Sequence, residues 1–137
     1  MTVLLVEDNP IDREAIARAF VKHRIANPIV NATDGLEALA ILRGQHPDQH
    51  IERPFILLVD LNMPRMNGIE LITSVRADPA LSDSVIFVLT TSRNDEDRVA
   101  SYSLNVAGYI VKSDVGAGFI SLVELLDRYW RIVELPT

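Results

Sequence analysis

Acidic side chains directly follow two strongly apolar segments of the chain. Glu7 and Asp8 come after VLLV, and Asp60 comes after FILLV. Carboxylates that meet without a partner repel one another, so the pKa of at least one of them rises. A hard divalent cation removes this repulsion, and carboxylate oxygens with water suit Mg²⁺. The three acids are therefore candidate magnesium ligands if the fold brings them together.

Hydroxyl and ammonium groups follow two further apolar segments. Thr90 and Thr91 come after VIFVL, and Lys112 comes after GYIV. A metal ion and a lysine neutralise phosphoryl oxygens, which leaves one carboxylate free to act as a nucleophile. Asp60 is the candidate nucleophile, and its acyl phosphate would carry the transferred group. Each residue alone would more often be a cap, a turn former or a solvated side chain, so the joint pattern is what indicates phosphoryl transfer.

Short apolar runs alternate with helical patterns, as expected for strands that helices cover on both faces. The second run contains Pro28 and alternates with polar residues, which places it at an edge of the sheet. Five βα repeats imply a parallel sheet with right-handed crossovers. The prediction is a doubly wound, flavodoxin-like α/β fold with strand order 2-1-3-4-5 and five helices on both faces. The predicted strands are residues 3–6, 28–32, 55–59, 85–89 and 108–111.

The predicted helices fill the gaps between these strands. Asn9 is the candidate N-cap of the first helix, Asp34 lies near the start of the second, and Gly44 ends the second. The third runs from residue 67 to Asp78, the fourth opens at residues 94–97, and the fifth covers 116–131. The side chains predicted to face inward are Ile11, Ala15, Ala19 and Phe20 in the first helix, Leu36, Leu39 and Ala40 in the second, and Ile69, Ile72 and Val75 in the third.

The predicted topology places the acids at one location. In open parallel sheets, ligands bind beyond the C-terminal ends of the strands, where the strand order reverses. That point lies between the first and third strands, so Glu7, Asp8 and Asp60 are expected to meet there. Thr90 and Lys112 end the two neighbouring strands and are expected within reach of the same place.

Composition excludes several other classes of protein. The net charge is −6 and basic residues form no run, which argues against nucleic-acid binding through phosphates. The chain has no cysteine, no apolar stretch near the length that spans a bilayer and no basic segment before its first apolar run. A cytoplasmic location is expected. The polar loop 44–54 is predicted to be solvent-exposed, and His23, His46 and His50 are interpreted as surface residues.

Four motifs, taken together, resemble the receiver domain of two-component response regulators, and the resemblance covers nearly the whole chain. They are LLVEDN at 4–9, LLVDLNMPRMNG at 57–68, VLTTS at 88–92 and GYIVK at 108–112. The resemblance implies a CheY-like fold and a phosphoprotein that is switched by phosphorylation rather than an enzyme. It would assist only its own Mg²⁺-dependent phosphorylation and dephosphorylation.

The resemblance also implies roles for individual residues. Asp60 would be the phosphoacceptor, Asp8 would bind Mg²⁺ directly and Glu7 would act mainly through water. The backbone carbonyl of Asn62 would complete the protein ligands. The remaining roles fall to residues at the ends of the last two strands and beside Asp60: Lys112 would pair with the phosphoryl group, Leu61 and Thr91 would help to bind it, Thr90 would move towards it, and Tyr109 would turn inward as the aromatic switch.

The chain departs from the family pattern at one position. Receivers usually have a proline after the lysine of the last strand, often with a cis peptide bond, whereas Ser113 follows Lys112 here. A cis bond before a residue other than proline is costly and is not assumed. How Lys112 is aimed is therefore an open question at the level of the sequence.

The resemblance predicts one receiver domain over residues 1–130 and an extension over 131–137, with no effector domain. The output surface would be the face formed by the fourth helix, the fifth strand and the fifth helix. Leu125, Tyr129 and Ile132 widen the apolar arc of the fifth helix, which suggests a homodimer contact. Alternatively, the tail folds back over its own core. Sedimentation with and without residues 131–137 would distinguish the two.

The long loop before the third strand, the segment from Thr90 to Ser113 and the Trp-containing tail resemble one subgroup of receivers in particular. These are the small receivers that partner bacterial and cyanobacterial phytochrome histidine kinases. The predicted partners are thus a sensor histidine kinase, with a bacteriophytochrome as the candidate, and a downstream protein in a phosphorelay, without nucleic acid or membrane.

Three other functions compete with this interpretation. A Mg²⁺-dependent phosphohydrolase would commonly carry a second acid two residues after its nucleophile, but Asn62 stands there and does not protonate a leaving group. A flavodoxin-like cofactor binder would need a glycine-rich phosphate loop where this chain has acids. A phosphate sink differs from a signalling receiver only in its partners and stays open.

Overall fold

The computed structural model describes residues 2–22, 26–90, 94, 99–100 and 103–112. The predicted fifth helix, most of the predicted fourth helix, Thr91 and the proposed interface residues Leu125, Tyr129 and Ile132 lie outside these ranges. The strands are β1 (Thr2–Val6), β2 (Ile29–Ala32), β3 (Phe55–Asp60), β4 (Val85–Thr90) and β5 (Gly108–Val111). The helices with given bounds are α1 (Pro10–Lys22), α2 (Gly35–Leu42) and α3 (Gly68–Ala77).

The five strands form one parallel sheet in the order β2-β1-β3-β4-β5. The predicted order is confirmed, and the run that contains Pro28 is at the edge. Val6 pairs with Val59 and Asp60 with Leu89, so β1, β3 and β4 end nearly level with one another. The residues that follow these strands therefore reach the same edge of the sheet.

The core is divided into two layers by the central strands, because successive side chains of a strand point to opposite faces. All six residues of β3 are buried. Leu57 and Val59 belong to the cluster that includes the buried residues of α2 and α3, whereas Ile56 and Leu58 belong to the cluster that includes those of α1. Within the described ranges, no helix has the length and apolar character needed to cross a membrane.

Helix α1 begins as predicted but is rotated relative to its predicted face. The Asn9 carboxamide oxygen accepts the Ile11 backbone N–H at 2.9 Å, which caps the helix. Ile16, Ala19 and Phe20 are buried, whereas Ile11 is 74% exposed and Ala15 is also exposed. At about 100° per residue, Ile16 lies about 140° around the helix from Ile11, so the two do not share a face. The predicted inward positions of Ile11 and Ala15 are wrong.

Helix α2 also shows a partial mismatch. Leu39 is buried as predicted, but Leu36 is 46% exposed and Ala40 is only half-buried. The other buried apolar side chains of the helix are Ala38 and Ile41. At about 100° per residue, Leu36 lies about 160° around the helix from Ala38, so the two do not share a face.

Helix α3 agrees with its predicted face. Ile69, Ile72 and Val75 are buried, and Asn67 forms a capping box with Glu70 at the start of the helix. The helix ends at the predicted Asp78 cap. Its N-terminus therefore lies at a defined position close to the end of β3.

Side-chain contacts hold the polar loop 44–54 in place, although its polarity predicted a solvent-exposed segment. His46 Nδ1 accepts the backbone N–H groups of Asp48 and Gln49 at 3.1 and 3.0 Å, and the His46 side chain is only 13% exposed. His46 was interpreted as a surface residue, but its side chain is largely covered. The Arg53 guanidinium lies over the Phe55 ring at 5.3 Å, which ties the end of the loop to β3.

Candidate functional site

The acids that follow β1 and end β3 meet at one point. Glu7, Asp8 and Asp60 each offer a carboxylate oxygen, and these oxygens all lie within 4.8 Å of one another. Glu7 and Asp60 are buried, whereas Asp8 is exposed. The convergence arises because β1 and β3 are hydrogen-bonded neighbours whose C-terminal ends lie at the same edge. The location at the strand-order reversal is the one expected for a ligand site in this fold.

The Lys112 ammonium enters this cluster from the end of β5. Its Nζ lies 2.9 Å from Glu7 Oε2, 3.0 Å from Asp12 Oδ2 and 3.3 Å from Asp60 Oδ2. Asp12 is a residue that the sequence analysis missed. Its signal was its place in the first turn of α1, directly after β1, which brings that turn to the same edge of the sheet.

Burial and mutual contact shift the pKa values of these groups. Burial raises the pKa of Glu7 to about 7, Lys112 opposes the increase, and the Asp60 carboxylate adds to it. Burial also raises the pKa of Asp60, against the opposing charge of Lys112 and the backbone N–H of Asn62. For Lys112, burial alone would lower the pKa, but contacts with Glu7 and Asp12 outweigh it and raise the pKa. The cluster thus holds buried carboxylates that a cation would stabilise.

The chain places a hydroxyl beside this cluster. Thr90 ends β4 next to β3 and is buried, and its Oγ1 has no hydrogen-bond partner among the residues that the structure describes. A buried hydroxyl without a partner carries a desolvation cost that an incoming acceptor oxygen would relieve. Tyr109 lies on β5 and is half-buried against the α2–α3 side of the core.

The backbone at Gly68 lies very close to the backbone of Asp60 and Leu61, and this contact fixes the segment after Asp60. The Gly68 N–H donates to the Leu61 carbonyl at 3.0 Å. A Cβ atom at position 68 would lie 2.4 Å from the Asp60 carbonyl oxygen and 2.8 Å from Leu61 Cα. Only glycine therefore allows α3 to begin so close to the end of β3. Leu61 is buried and Asn62 is exposed, so the Asn62 segment faces the open side of the site.

An ion pair between the buried Asp34 and the exposed Arg65 holds the same loop from the other side. Arg65 has a positive φ of 62° and donates from Nε to Asp34 Oδ2 at 2.7 Å, and its NH2 group makes a second contact with that oxygen. The other oxygen of Asp34 caps α2 by accepting the Glu37 N–H at 2.9 Å. The Gly35 N–H donates to the Met66 carbonyl at 3.1 Å. Asp34 was predicted only as the start of a helix, and its link to the loop after β3 was missed.

The turn between β1 and α1 is held by a further arginine that the sequence analysis missed. Arg13 Nη1 donates to the carbonyls of Glu7 at 2.8 Å and Asp8 at 3.2 Å. The Asn9 N–H donates to Glu7 Oε1 at 3.1 Å. These contacts fix the two acids that follow β1. Their backbone is therefore positioned before any ligand arrives.

The family model for the response regulator receiver domain matches residues 3–118. The chain belongs to the response regulator receiver family. It is therefore a receiver domain of two-component signalling, a family of signalling proteins rather than conventional enzymes. The phosphohydrolase and cofactor-binder alternatives do not describe this family.

The response regulator Rcp1 resembles this receiver over nearly its full length. The response regulator Rcp1 of Synechocystis sp. (strain ATCC 27184 / PCC 6803 / Kazusa) is 33% identical over 135 residues, which cover 98% of this chain and 92% of Rcp1. The Mn²⁺-bound form of Rcp1 has a TM-score of 0.77 to this chain at 33% identity and covers 99% of both.

Two solved phytochrome response regulators are also similar to this receiver. The phosphorylated cyanobacterial phytochrome response regulator RcpA has a TM-score of 0.79 and 33% identity, with 99% of this chain and 98% of RcpA covered. The bacteriophytochrome response regulator AtBRR has a TM-score of 0.79 and 35% identity, with 92% and 89% covered. The predicted likeness to the phytochrome-associated receivers is confirmed.

Proposed function

We propose that this receiver accepts a phosphoryl group from a histidine kinase on Asp60. The observation that carries the proposal is the position of the Asp60 carboxylate, which is buried at the end of β3 with Lys112 Nζ at 3.3 Å. Glu7 and Asp8 converge on the same carboxylate. A nucleophile, a fixed cation and a candidate metal site thus lie within contact distance of one another.

The transfer step needs a phosphorylated donor and a divalent cation in addition to the residues of the site. A carboxylate oxygen of Asp60 attacks phosphorus, a P–O bond forms, and the P–N bond of the phosphohistidine breaks with its electron pair on the imidazole nitrogen. Lys112 would neutralise a phosphoryl oxygen as this charge shifts. Leu61 and Thr91, which follow the ends of β3 and β4, would provide further contacts to the phosphoryl group.

A divalent cation fits the acidic side of this site, and we take it to be Mg²⁺. The support is the set of three oxygen donors and the buried Glu7 Oε2, which accepts no well-aligned hydrogen bond from a described residue although Lys112 lies 2.9 Å away. Asp8, Asp60 and the Asn62 carbonyl would hold the ion, with Glu7 acting mainly through water. When bound, the ion would neutralise charge on the phosphoryl oxygens. The related Rcp1 was crystallised with Mn²⁺.

The output would be a change in protein contacts. Thr90 would move towards the phosphoryl group because its buried Oγ1 lacks a partner in the described part of the chain, and Tyr109 would turn inward as Thr90 leaves. The readout surface would be the face formed by the predicted fourth helix, β5 and the predicted fifth helix. The homodimer contact through Leu125, Tyr129 and Ile132, and the role of the extension 131–137, stay predictions.

The partner chemistry follows from the relatives. Both RcpA and AtBRR are phytochrome response regulators by name. A phytochrome histidine kinase is therefore the proposed phosphoryl donor, and this receiver would pass the signal on as one step of a phosphorelay.

Intact-mass analysis after incubation with acetyl phosphate and Mg²⁺ tests the proposal. The parent chain is expected to gain one phosphoryl group, and Asp60→Ala is expected to gain none. Asp83→Ala is the matched control, because Asp83 is an exposed aspartate that pairs with Arg53 before the N-terminal ends of β4 and β3, whereas the site lies at their C-terminal ends. An adduct of equal yield in Asp60→Ala would contradict the assignment of the phosphoacceptor.

A further inference from the structure

Asp12 stands outside the group of residues that could hold the metal, yet it contacts the lysine of the site. Its Oδ2 accepts a hydrogen bond from Lys112 Nζ at 3.0 Å. The carboxylate group that could hold a cation in the described residues consists of Glu7, Asp8 and Asp60. Asp12 and Lys112 also line one small cavity together with Glu7. Asp12 therefore acts on Lys112 rather than on a metal ion.

Lys112 has three acidic neighbours, and its contact with Asp12 is a hydrogen bond. Its Nζ lies 2.9 Å from Glu7, 3.0 Å from Asp12 and 3.3 Å from Asp60. A lysine Nζ has three N–H donors, so the donor held by Asp12 restricts the directions of the other two. With Asp12 holding one donor and Glu7 close by, the ammonium group is kept near Asp60, where the phosphoryl group would form.

An anchor of this kind is needed because lysine is flexible. Its four-carbon side chain loses rotamer entropy when it is held in one geometry. Ser113 follows Lys112, so the chain lacks the proline that would restrict the backbone there. Helix α1, in contrast, is fixed on the sheet by the buried side chains of Ile16, Ala19 and Phe20. A carboxylate on α1 is thus a rigid reference point for a flexible lysine.

We propose that Asp12 is a positioning residue which, together with Glu7, directs Lys112 towards the phosphoryl group on Asp60. The inference rests on the proposed phosphoryl acceptance. It concerns the rate of transfer and leaves the identity of the acceptor unchanged. It also answers how Lys112 is aimed without a proline after it.

The direction in which the transfer rate changes when Asp12 is removed distinguishes positioning of Lys112 from a simple effect of charge. Asp12 adds a negative charge beside the site, and a negative charge repels an anionic phosphoryl donor. If charge were its main contribution, removing Asp12 would speed transfer. If positioning is its main contribution, removing Asp12 slows transfer.

The test compares initial rates of adduct formation from acetyl phosphate and Mg²⁺, followed by intact mass. Asp12→Ala is expected to be slower than the parent chain by about tenfold, since small losses of alignment at a reacting centre cost about this much or more. Asp12→Glu is expected to recover part of the rate. Glu14→Ala is the matched control, because Glu14 lies on the same helix, carries the same charge and pairs with the exposed Arg18.

Two further readouts distinguish positioning from a general structural effect. Mg²⁺ affinity by calorimetry is expected to change little in Asp12→Ala. In a Lys112→Ala background, the Asp12→Ala substitution is expected to have no additional effect on the rate, because both changes act through the same ammonium group.

The outcomes that overturn the inference differ from those that overturn the proposed function. A rate in Asp12→Ala equal to or above that of the parent chain would contradict positioning, as would a loss of the same size in the Lys112→Ala background. Failure of the parent chain to take up any phosphoryl group, or full uptake by Asp60→Ala, would instead contradict the proposed function.

Discussion

At the residue scale, Glu7 shows how the site lowers the stability of the folded chain. Its side chain is fully buried, and burial raises its pKa to about 7 from an ordinary value of 4.5. Each unit of pKa difference between the folded and unfolded states corresponds to about 1.4 kcal/mol. Burial makes the ionised acid costly to the fold, and Lys112 offsets only part of that cost. We propose that the cation which Glu7 would help to hold accounts for its position.

The first prediction follows from the sign of this shift. Because the folded state holds the Glu7 proton more tightly than the unfolded state does, the free energy of unfolding of the metal-free chain falls as pH rises from 4.5 to about 7. Below this window Glu7 is protonated in both states, and above it the full cost remains. Urea unfolding with a chelator at pH 5 and pH 8 measures the fall.

The control isolates Glu7 from other groups that titrate in the same window. Glu7→Gln is expected to show a clearly smaller fall in stability between pH 5 and pH 8, whereas Glu14→Gln at an exposed position is expected to match the parent chain. An unchanged pH dependence in Glu7→Gln would mean that Glu7 does not titrate as proposed.

At the scale of elements, the end of β3 and the start of α3 lie so close together that only glycine fits at position 68. Gly68→Ala would place a Cβ atom against the backbone of Asp60 and Leu61, and backbone has little freedom to move. We expect a loss of about 3 kcal/mol of stability from this overpacking. We also expect slower phosphoryl uptake, because Asp60 would shift.

Gly44→Ala provides a matched comparison. Gly44 has a φ of 69°, and a Cβ atom there would have no neighbour within 4 Å. Its substitution is expected to cost only the conformational strain of a left-handed residue, about 1–2 kcal/mol, without an effect on phosphoryl uptake. Equal effects of the two substitutions on uptake would contradict a positioning role for the β3–α3 junction.

The elements also show which features the sequence predicts. Four continuous apolar runs and one alternating run predicted the five strands, and the weaker run with Pro28 predicted which strand lies at the edge. The inward face of α1 was misjudged, since Ile11 and Ile16 are both apolar and only the packing against the sheet decides between them. Where two apolar residues lie on different faces, hydrophobic spacing alone is ambiguous.

Two long-range ion pairs were not predicted from the sequence. Asp34 and Arg65 are 31 residues apart, and Asp12 and Lys112 are 100 residues apart. Local pattern assigns a charged residue to a cap or a surface, whereas its partner depends on how loops from different strands meet. Arg76 is a similar case, because its guanidinium donates to four backbone carbonyls, those of Ser82, Ser84, Leu104 and Asn105.

At the scale of the whole molecule, the fold converts distant residues into one site. Glu7, Asp60 and Lys112 belong to the first, third and fifth strands or their ends, yet the parallel sheet brings them into contact. The acids, the lysine and the hydroxyl were all identified from the sequence because each follows an apolar run. The groups that hold them in place, namely Asp12, Arg13 and the Asp34–Arg65 pair, were visible only in the folded chain.

The central claim is that a divalent cation and a phosphoryl group share the Asp60 carboxylate beside Lys112. The most direct measurement is a crystal structure of the chain grown with Mn²⁺ and beryllium trifluoride, an analogue of the phosphoryl group, with the ion located by its anomalous scattering. We expect the ion between Asp8, Asp60 and the Asn62 carbonyl. We expect the beryllium trifluoride group on Asp60, in contact with Lys112. An ion or a fluoride group bound elsewhere, with Asp60 unmodified, would contradict the account.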